Sequence, residues 1–403
     1  MMNKKVSGNL LVAQSGGPSM VINQSLIGVV SAAWSHPKVG CILGARHGID
    51  GILKEDLIDF RRESRAHLEV VAGTPSSALG SVRRKPSAED CAAIFEVLRR
   101  RGVRWFFYIG GNDSAETVHI INEAARRAGD ELACFHIPKT IDNDLCENDH
   151  TPGFGSAARF VACALMGDDL DNRALGGVKI DVIMGRHAGF LTAAAALART
   201  APDDGPHLIY LPERPFDPKR FVADVKGVVK RLGRCVVAVS EGIADARGVP
   251  IAAKFSKEKD SHGNVQLSGT GALGDLLAKM IRAKGGITRV RADTFGYLQR
   301  SFPGMASETD AREARAVGVA AVKAALGGSA ASGSIAIRRN PGKTYGVSFV
   351  VVPLRKVAKN TRHVPASYIN RAGNDVTKAF LDYARPLIGK LPAKGLLKGE
   401  RVD

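Results

Sequence analysis

Trp105-Phe106-Phe107-Tyr108-Ile109-Gly110-Gly111-Asn112-Asp113-Ser114 and Leu132-Ala133-Cys134-Phe135-His136-Ile137-Pro138-Lys139-Thr140-Ile141-Asp142-Asn143-Asp144 decide the fold. Each is an apolar, strand-like run that ends abruptly in glycine, lysine and acidic residues. Short apolar runs bounded by such residues read as buried strands. Glycines let a backbone approach a phosphate. Clustered aspartates hold magnesium or accept a proton from a hydroxyl, and a lysine neutralises phosphate charge. These are the parts of a phosphoryl-transfer site.

The same alternation extends along the chain. Leu10–Ala13 reads as a strand, Ser15-Gly16-Gly17-Pro18 as a turn and Asn23 to Ala33 as a helix. A helix is expected over Ala115–Ala128. Val178–Met184 reads as a strand and His187–Arg199 as an alanine-rich helix. Cys235–Val239 is a strand that stops at Ser240-Glu241-Gly242. Leu273–Ala283 and Glu308–Leu326 are helical, and Ala372–Ala384 is the last helix. Ile287–Ala292, Ser334–Ile337 and Gly346–Val352 are strands. This order argues for α/β architecture with parallel sheets and helices on both faces. Ligands then bind beyond the carboxyl ends of the strands. Asp203-Asp204-Gly205-Pro206 reads as a turn, the segment from Gly327 to Ser334 as a flexible surface loop, and the Lys- and Gly-rich tail after Leu387 as frayed.

The chain has 403 residues, 45% hydrophobic and 24% charged, enough for two domains or one large one. Its formal charge is +17. Basic residues are scattered, so anionic small molecules fit this excess better than nucleic acid or a membrane surface. Clusters such as Arg83-Arg84-Lys85 and Arg99-Arg100-Arg101 read as solvated faces. Cys41, Cys91, Cys134, Cys146, Cys163 and Cys235 form no CxxC pair, which argues against zinc and suits reduced thiols. After Lys4 and Lys5 the apolar stretch is too short for a signal peptide, and no run reaches membrane-spanning length. A cytoplasmic protein is expected.

Each strand end has a bland reading. Ser15-Gly16-Gly17-Pro18 is equally a tight turn, and lacks the Gly-Lys-Ser/Thr of a Walker loop. Asn112, Asp113 and Ser114 could simply cap a helix, although amides there would also face an anion. Met184-Gly185-Arg186-His187 could be a helix start or could place Arg186 on a phosphate. Glu241 could sit in a solvated turn or accept sugar hydroxyls. Arg291 and Arg300, the latter within Tyr297-Leu298-Gln299-Arg300, offer guanidiniums for a phosphate. The concentration of this chemistry at strand ends favours the functional reading.

With these motifs the chain resembles the phosphofructokinase family, and within it the pyrophosphate-dependent branch, from about Leu10 to about Arg300 and more weakly through Gly389. Ser15-Gly16-Gly17 with Asn23 is similar to the family's first glycine loop. Leu79-Gly80-Ser81-Val82-Arg83 resembles its donor-binding segment. The resemblance implies a two-lobed fold, each lobe a mainly parallel sheet flanked by helices. The donor lobe is expected over 6–150 plus about 299–349, and the fructose 6-phosphate lobe over 151–298 plus about 350–389, with 390–403 as tail. It implies Asp142 as base, with Lys139 and Thr140 at the transferring group. Pyrophosphate is assigned to Gly16, Gly17, Arg83, Asn112, Asp113 and Lys139. Fructose 6-phosphate is assigned to Thr140, Asp142, Met184, Gly185, Arg186, Glu241, Arg291, Tyr297 and Arg300. Mg²⁺ is assigned to Asn112 and Asp144.

ATP-using relatives carry glycine where Asp113 and Lys139 stand, whereas pyrophosphate-using relatives carry Asp and Lys. Three features depart from the common pattern: Asn112 stands where Asp is frequent, Pro18-Ser19-Met20-Val21-Ile22 lacks the usual Ala-Pro-Gly, and Tyr297 replaces a histidine of many ATP-dependent relatives. The implied reaction is reversible transfer from pyrophosphate to the 1-hydroxyl of fructose 6-phosphate, in a homodimer or homotetramer. ATP as donor, another phosphosugar such as sedoheptulose 7-phosphate as acceptor, and a non-catalytic sugar-phosphate sensor are the alternatives.

Overall fold

The computed structural model describes residues 8–84, 86–254, 271–358 and 360–397. Lys4, Lys5, Lys85 and the tail's last residues, 398–403, lie outside them, as do 6 and 7 of the expected donor lobe. The apolar runs form two sheets. The first has seven strands: β1 (Gly8–Gln14), β2 (Val39–Ala45), β3 (Leu57–Asp59), β4 (Val103–Gly110), β5 (Ala133–Pro138), β10 (Ser332–Arg339) and β11 (Val347–Val352). Their order is β11-β10-β5-β4-β1-β2-β3. The second sheet has β6 (Gly177–Ile183), β7 (Leu208–Tyr210), β8 (Arg234–Ser240) and β9 (Val290–Thr294), in the order β7-β8-β6-β9.

The inner strands are parallel, which explains their near-continuous apolar character, since both faces are covered. The edges of the first sheet are not. β3 runs antiparallel to β2, and β11 antiparallel to β10. The strand expected over Gly346–Val352 is therefore present but reversed. A short return from Arg339 to Val347 can only make a hairpin, because a parallel return needs a long crossover.

Six helices matter to the site and its support: α1 (Ile22–Ala33), α2 (Asn112–Arg127), α3 (Phe154–Leu175), α4 (Pro218–Leu232), α5 (Glu308–Gly327) and α6 (Lys378–Ile388). α3 went unread in the sequence. Its start carries Gly153 rather than a capping side chain, and the cap comes from α5. Asp310 accepts from Gly153 N (2.9 Å) and from Ser156 N (2.8 Å) and Oγ (2.5 Å). Beneath the site runs one apolar cluster that includes Met20, Ile141, Phe154, Met184, Phe190 and Tyr383. It joins Ile183, Ile209, Val236 and Ala238 of the second sheet to Met20 and Ile141, which lie in the loops after β1 and β5 of the first.

Five local expectations are corrected. The alanine-rich segment makes only a short helix at Phe190–Ala193 and a 3₁₀ turn at Ala194–Ala198, because Gly189 N is held by Glu213 (2.9 Å) and the preceding residues form a loop. The strand expected at Ile287–Ala292 begins at Val290, after Gly286 turns the chain at φ 69°. The last helix begins at Lys378, because the chain first turns back between Ile369 and Val376. The tail does not fray over its described residues. Arg159 bonds Ile388 O (3.0 Å) and Lys390 O (2.6 Å), and buried Lys394 pairs with Asp204 (2.6 Å). Ser332 to Ser334 of the expected flexible loop already belong to β10.

The junction of α1 and α5 rests on close backbone approach. A Cβ on Gly28 would enter the carbonyl of Arg315, and one on Gly318 that of Ser25. Gly318→Ala gains about 1 kcal/mol of helix propensity but forces two backbones apart, a cost of about 1–3 kcal/mol. The carbonyl cannot rotate away, so the clash wins. Gly318→Ala is expected to lower the thermal unfolding midpoint, and calorimetry against the parent checks it.

Candidate active site

Register brings the strand ends together. Gln14 pairs with Ile109, and Gly110 with Pro138, so the segments after β1, β4 and β5 emerge side by side. In the second sheet Ile183 pairs with Ser240, which sets Met184 beside Glu241. Glycine is needed where these loops touch. A Cβ on Gly110 would overlap Ser114, and Ser15 Oγ lies 2.5 Å from Ser114 Oγ. The capping reading of Asn112, Asp113 and Ser114 does not hold, because α2 starts at Asn112 with no side-chain cap. Its first-turn amides lie at a cavity rather than under a cap.

That cavity, about 290 Å³, is where the structure gathers most of the residues singled out by sequence. Gly16, Gly17, Arg83, Asn112 and Asp113 form one side. Lys139, Thr140, Asp142, Asp144 and Arg300 form the other. The segment carrying Arg83 is tied to the first loop through Gly16 N to Val82 O (3.0 Å) and Ser81 Oγ to Gly16 O (2.5 Å). Asn23 supports it from below, accepting from Ala78 N (2.9 Å) and donating to Thr74 O (2.9 Å).

Lys139 is 4% exposed and donates from Nζ to Gly17 O at 2.6 Å. Burial, then Arg300, lowers its pKa to about 8, against the pull of Asp142 and the further push of Arg83. Burial raises the pKa of Asp142, opposed by Arg300, Lys139, His187 and Arg186. Burial and then the Asp142 charge raise Asp144 to about 7. Asn112 Oδ1 is buried with no hydrogen-bond partner. A carboxylate that resists ionisation and an orphaned carbonyl oxygen in one cavity fit a hard divalent cation, which takes oxygen ligands.

Arg186 and His187 line a second cavity of about 700 Å³ with Glu213, Gly242 and His363. Met184 and Gly185 are the buried end of β6. Met184 N contacts Gln299 Oε1 at 3.4 Å, and Ser240 Oγ donates to Gly185 O at 2.6 Å. Glu241 is buried and acts on Arg300. Tyr297 is 52% exposed, with the Arg300 guanidinium 4.8 Å from its ring centre. Arg291 stands apart. It is exposed near the start of edge strand β9, opposite Lys179, and lines neither cavity.

Sequence reading passed over several supports. Asn143 is fully buried at φ 59°. It donates to Tyr383 Oη (2.8 Å) and accepts from Thr151 N (3.0 Å), which fixes the loop between Asp142 and Asp144. His136 spans Ser334 Oγ and Gly110 O at 2.8 Å each, and burial lowers its pKa to about 4. A neutral imidazole that donates from Nε2 and accepts at Nδ1 satisfies both. Glu213 holds Gly189 N and Val364 N at 2.9 Å each. A buried Asn between two aspartates was a readable signal for Asn143. Glu213 carried none, because it follows a strand of only three residues.

The sequence profile described as Phosphofructokinase matches residues 9–325. A pyrophosphate–fructose 6-phosphate 1-phosphotransferase of Rhodospirillum rubrum is 56% identical over 398 residues, 98% of either chain. One of Xanthomonas campestris is 43% identical, covering 96% of this chain and 93% of its own. The crystal structure of a pyrophosphate-dependent phosphofructokinase from Marinobacter aquaeolei superposes with a TM-score of 0.85 at 35% identity, over 97% of this chain and 94% of that one.

Asn143→Ala would leave Thr151 N unsatisfied, about 1–3 kcal/mol, and lose the short polar side chain that tolerates left-handed geometry, part of a cost of about 1–2 kcal/mol. Both stability and turnover are expected to fall. Asn143→Gly should recover part of the stability but not the turnover, since Tyr383 Oη still donates to Asp149 O (2.7 Å) but no longer accepts from residue 143, so the loop stays untied. Thermal unfolding and kcat measured on both variants decide this.

Proposed function

The chain belongs to the phosphofructokinase family, and we propose that it transfers a phosphoryl group reversibly from pyrophosphate to the 1-hydroxyl of fructose 6-phosphate, giving fructose 1,6-bisphosphate and phosphate. The observation that carries the donor assignment is that Asp113 and Lys139 line the same cavity. Lys139 supplies charge to a compact donor. Asp113, exposed on the first turn of α2, crowds and repels the inner phosphate of a nucleotide.

The donor lobe, 6–150 plus about 299–349, supplies Gly16, Gly17 and Arg83 to hold pyrophosphate beside Asn112, Asp113 and Lys139. The acceptor lobe, 151–298 plus about 350–389, supplies Met184, Gly185, Arg186, Glu241 and Tyr297 to the sugar phosphate, and Arg300 joins them from the donor lobe. Asp142 takes the proton from the 1-hydroxyl. Burial raises its pKa, and the Arg300, Lys139, His187 and Arg186 charges around it favour the ionised form that a base needs. Thr140 and Lys139 stabilise the transferring group. Mg²⁺, held by Asp144, Asn112 and donor oxygens, supplies neutralisation of phosphate charge when bound. Arg291, exposed on β9, serves the site of a neighbouring subunit in a homodimer or homotetramer. Among the described residues no helix is long and apolar enough to cross a membrane, and we place the enzyme in the cytoplasm.

Parallel kcat/KM measurements with pyrophosphate and ATP test the reading. Pyrophosphate is expected to be strongly preferred, and Asp113→Gly to admit some ATP. A parent enzyme that prefers ATP would overturn the donor assignment and leave the family intact.

Asp142→Asn is expected to keep the fold and fructose 6-phosphate binding while kcat falls about 10²–10⁴-fold, the usual worth of a positioned base. In the parent, activity should also decline above about pH 8, as Lys139 loses its proton. Near-normal turnover of the Asn variant would remove Asp142 from the mechanism.

A further inference from the structure

We propose a second anion site on the acceptor lobe, apart from the catalytic cavity, that takes a compact phosphate-bearing metabolite. Arg214, Arg220 and Arg371 line one cavity of about 280 Å³ with Tyr210, Asp217 and Gly373. The two cavities share no residue. The arginines come from three separate pieces of chain: the loop after β7, the first turn of α4 and the turn before α6.

These guanidiniums make no ion pair and no side-chain hydrogen bond among the described residues. Other arginines of the same lobe behave differently. Arg173 pairs with Asp204 (2.8 Å), Arg199 with both oxygens of Asp375 (2.9 and 3.0 Å) and Arg234 with Asp169 (2.6 Å). The nearby carboxylates are engaged elsewhere. Asp217 accepts from the backbone N of Lys219 (2.8 Å) and Arg220 (3.3 Å). Asp224 accepts from Tyr210 Oη (2.9 Å) and Asn374 Nδ2 (2.8 Å).

The three arginines are exposed, and the turn that carries Arg371 is scaffolded. The turn carrying Arg371 is fixed by Ile209 N to Asn374 O (2.8 Å), by Asn374 N to Asn370 Oδ1 (3.1 Å) and by the Arg199–Asp375 pair. The stem of Arg214 packs near Gly373, whose added Cβ would lie 3.6 Å from it. Three arginines line the cavity against one carboxylate, Asp217, and an anion relieves the repulsion that remains. Arginine forks match phosphate oxygens bidentately. The place also suits a ligand, at the carboxyl end of β7 beside β8 in a parallel sheet. A volume of about 280 Å³ is at the small end for ligand pockets, roughly 300–1,000 Å³, so a phosphate ester or inorganic phosphate fits better than a nucleotide.

Equilibrium dialysis with radiolabelled inorganic phosphate tests this on the full chain. Arg214→Gln/Arg371→Gln is compared with the parent and with Arg83→Gln, which weakens the catalytic cavity instead. The double variant is expected to lose one equivalent of bound phosphate per chain while kcat/KM for both substrates is unchanged. Arg371→Gln alone should weaken that binding roughly tenfold or more. If the double variant fails to fold, the single variant, whose side chain has no partner to lose, carries the test. Superimposable phosphate isotherms for parent and variant would overturn the proposal. So would unchanged phosphate binding with an altered sedimentation coefficient, which would assign the arginines to a subunit contact. The count stands whichever donor the catalytic site uses.

Discussion

The bond from Lys139 Nζ to Gly17 O is the contact on which the catalytic cavity depends. It joins the loop after β5 to the loop after β1 and holds an ammonium group almost out of water. Burying a charge is costly unless it is paired. Here burial and the nearby Arg300 and Arg83 push the amine toward neutrality, while Asp142 and Asp144 oppose them. The same balance seen from the acids is equally incomplete: burial, then the Asp142 charge, raises Asp144 to about 7. The cavity holds separated charge that only a bound anion and a cation complete. That is the condition for stabilising a transferring phosphoryl group, whose charge spreads over its outer oxygens.

Donor choice follows from how this cavity meets α2. The uncapped start of a helix attracts anions, and both pyrophosphate and a nucleotide would profit from it. Asp113 removes the symmetry. At a separation of about 4 Å and an effective dielectric of about 20, like charges repel by roughly 4 kcal/mol. Even a fraction of this separates the two donors by more than an order of magnitude. On the proposed reading pyrophosphate ends before the region that Asp113 guards, and a nucleotide does not. Selectivity therefore comes from a repulsive element set beside an attractive one.

The inner strands and most of the cavity were legible because both leave local signals. Buried parallel strands write continuous apolar runs, and their ends write glycine, lysine and aspartate. What was not legible depends on contacts distant in sequence. The cap of α3 comes from Asp310, far along the chain. The alanine-rich stretch after His187 has the composition of one continuous helix, but Glu213 and His363 hold its first residues in a loop and the rest winds only as Phe190–Ala193 and the 3₁₀ turn Ala194–Ala198. Lys394 looked like part of a loose tail because its partner, Asp204, reads as a surface turn. Arg291 was grouped with Arg300 by sequence, yet a three-residue shift in the start of β9 leaves it at the strand's opposite end from the cavity.

The charge of +17 can now be divided by location. The basic clusters that are conspicuous in sequence are neutralised: Arg84 pairs with Asp50 and Asp90, Arg99 with Glu96, and Arg100 and Arg101 both with Glu55. These exposed pairs contribute little stability, but they remove the clusters from the field an approaching anion feels. The fold gathers other cations from separate parts of the chain: Arg83, Lys139 and Arg300 at the catalytic cavity, and Arg214, Arg220 and Arg371 at the second. Both lie at carboxyl ends of parallel strands. A run of arginines is thus a poor guide to where this molecule is electropositive, and strand topology is a better one.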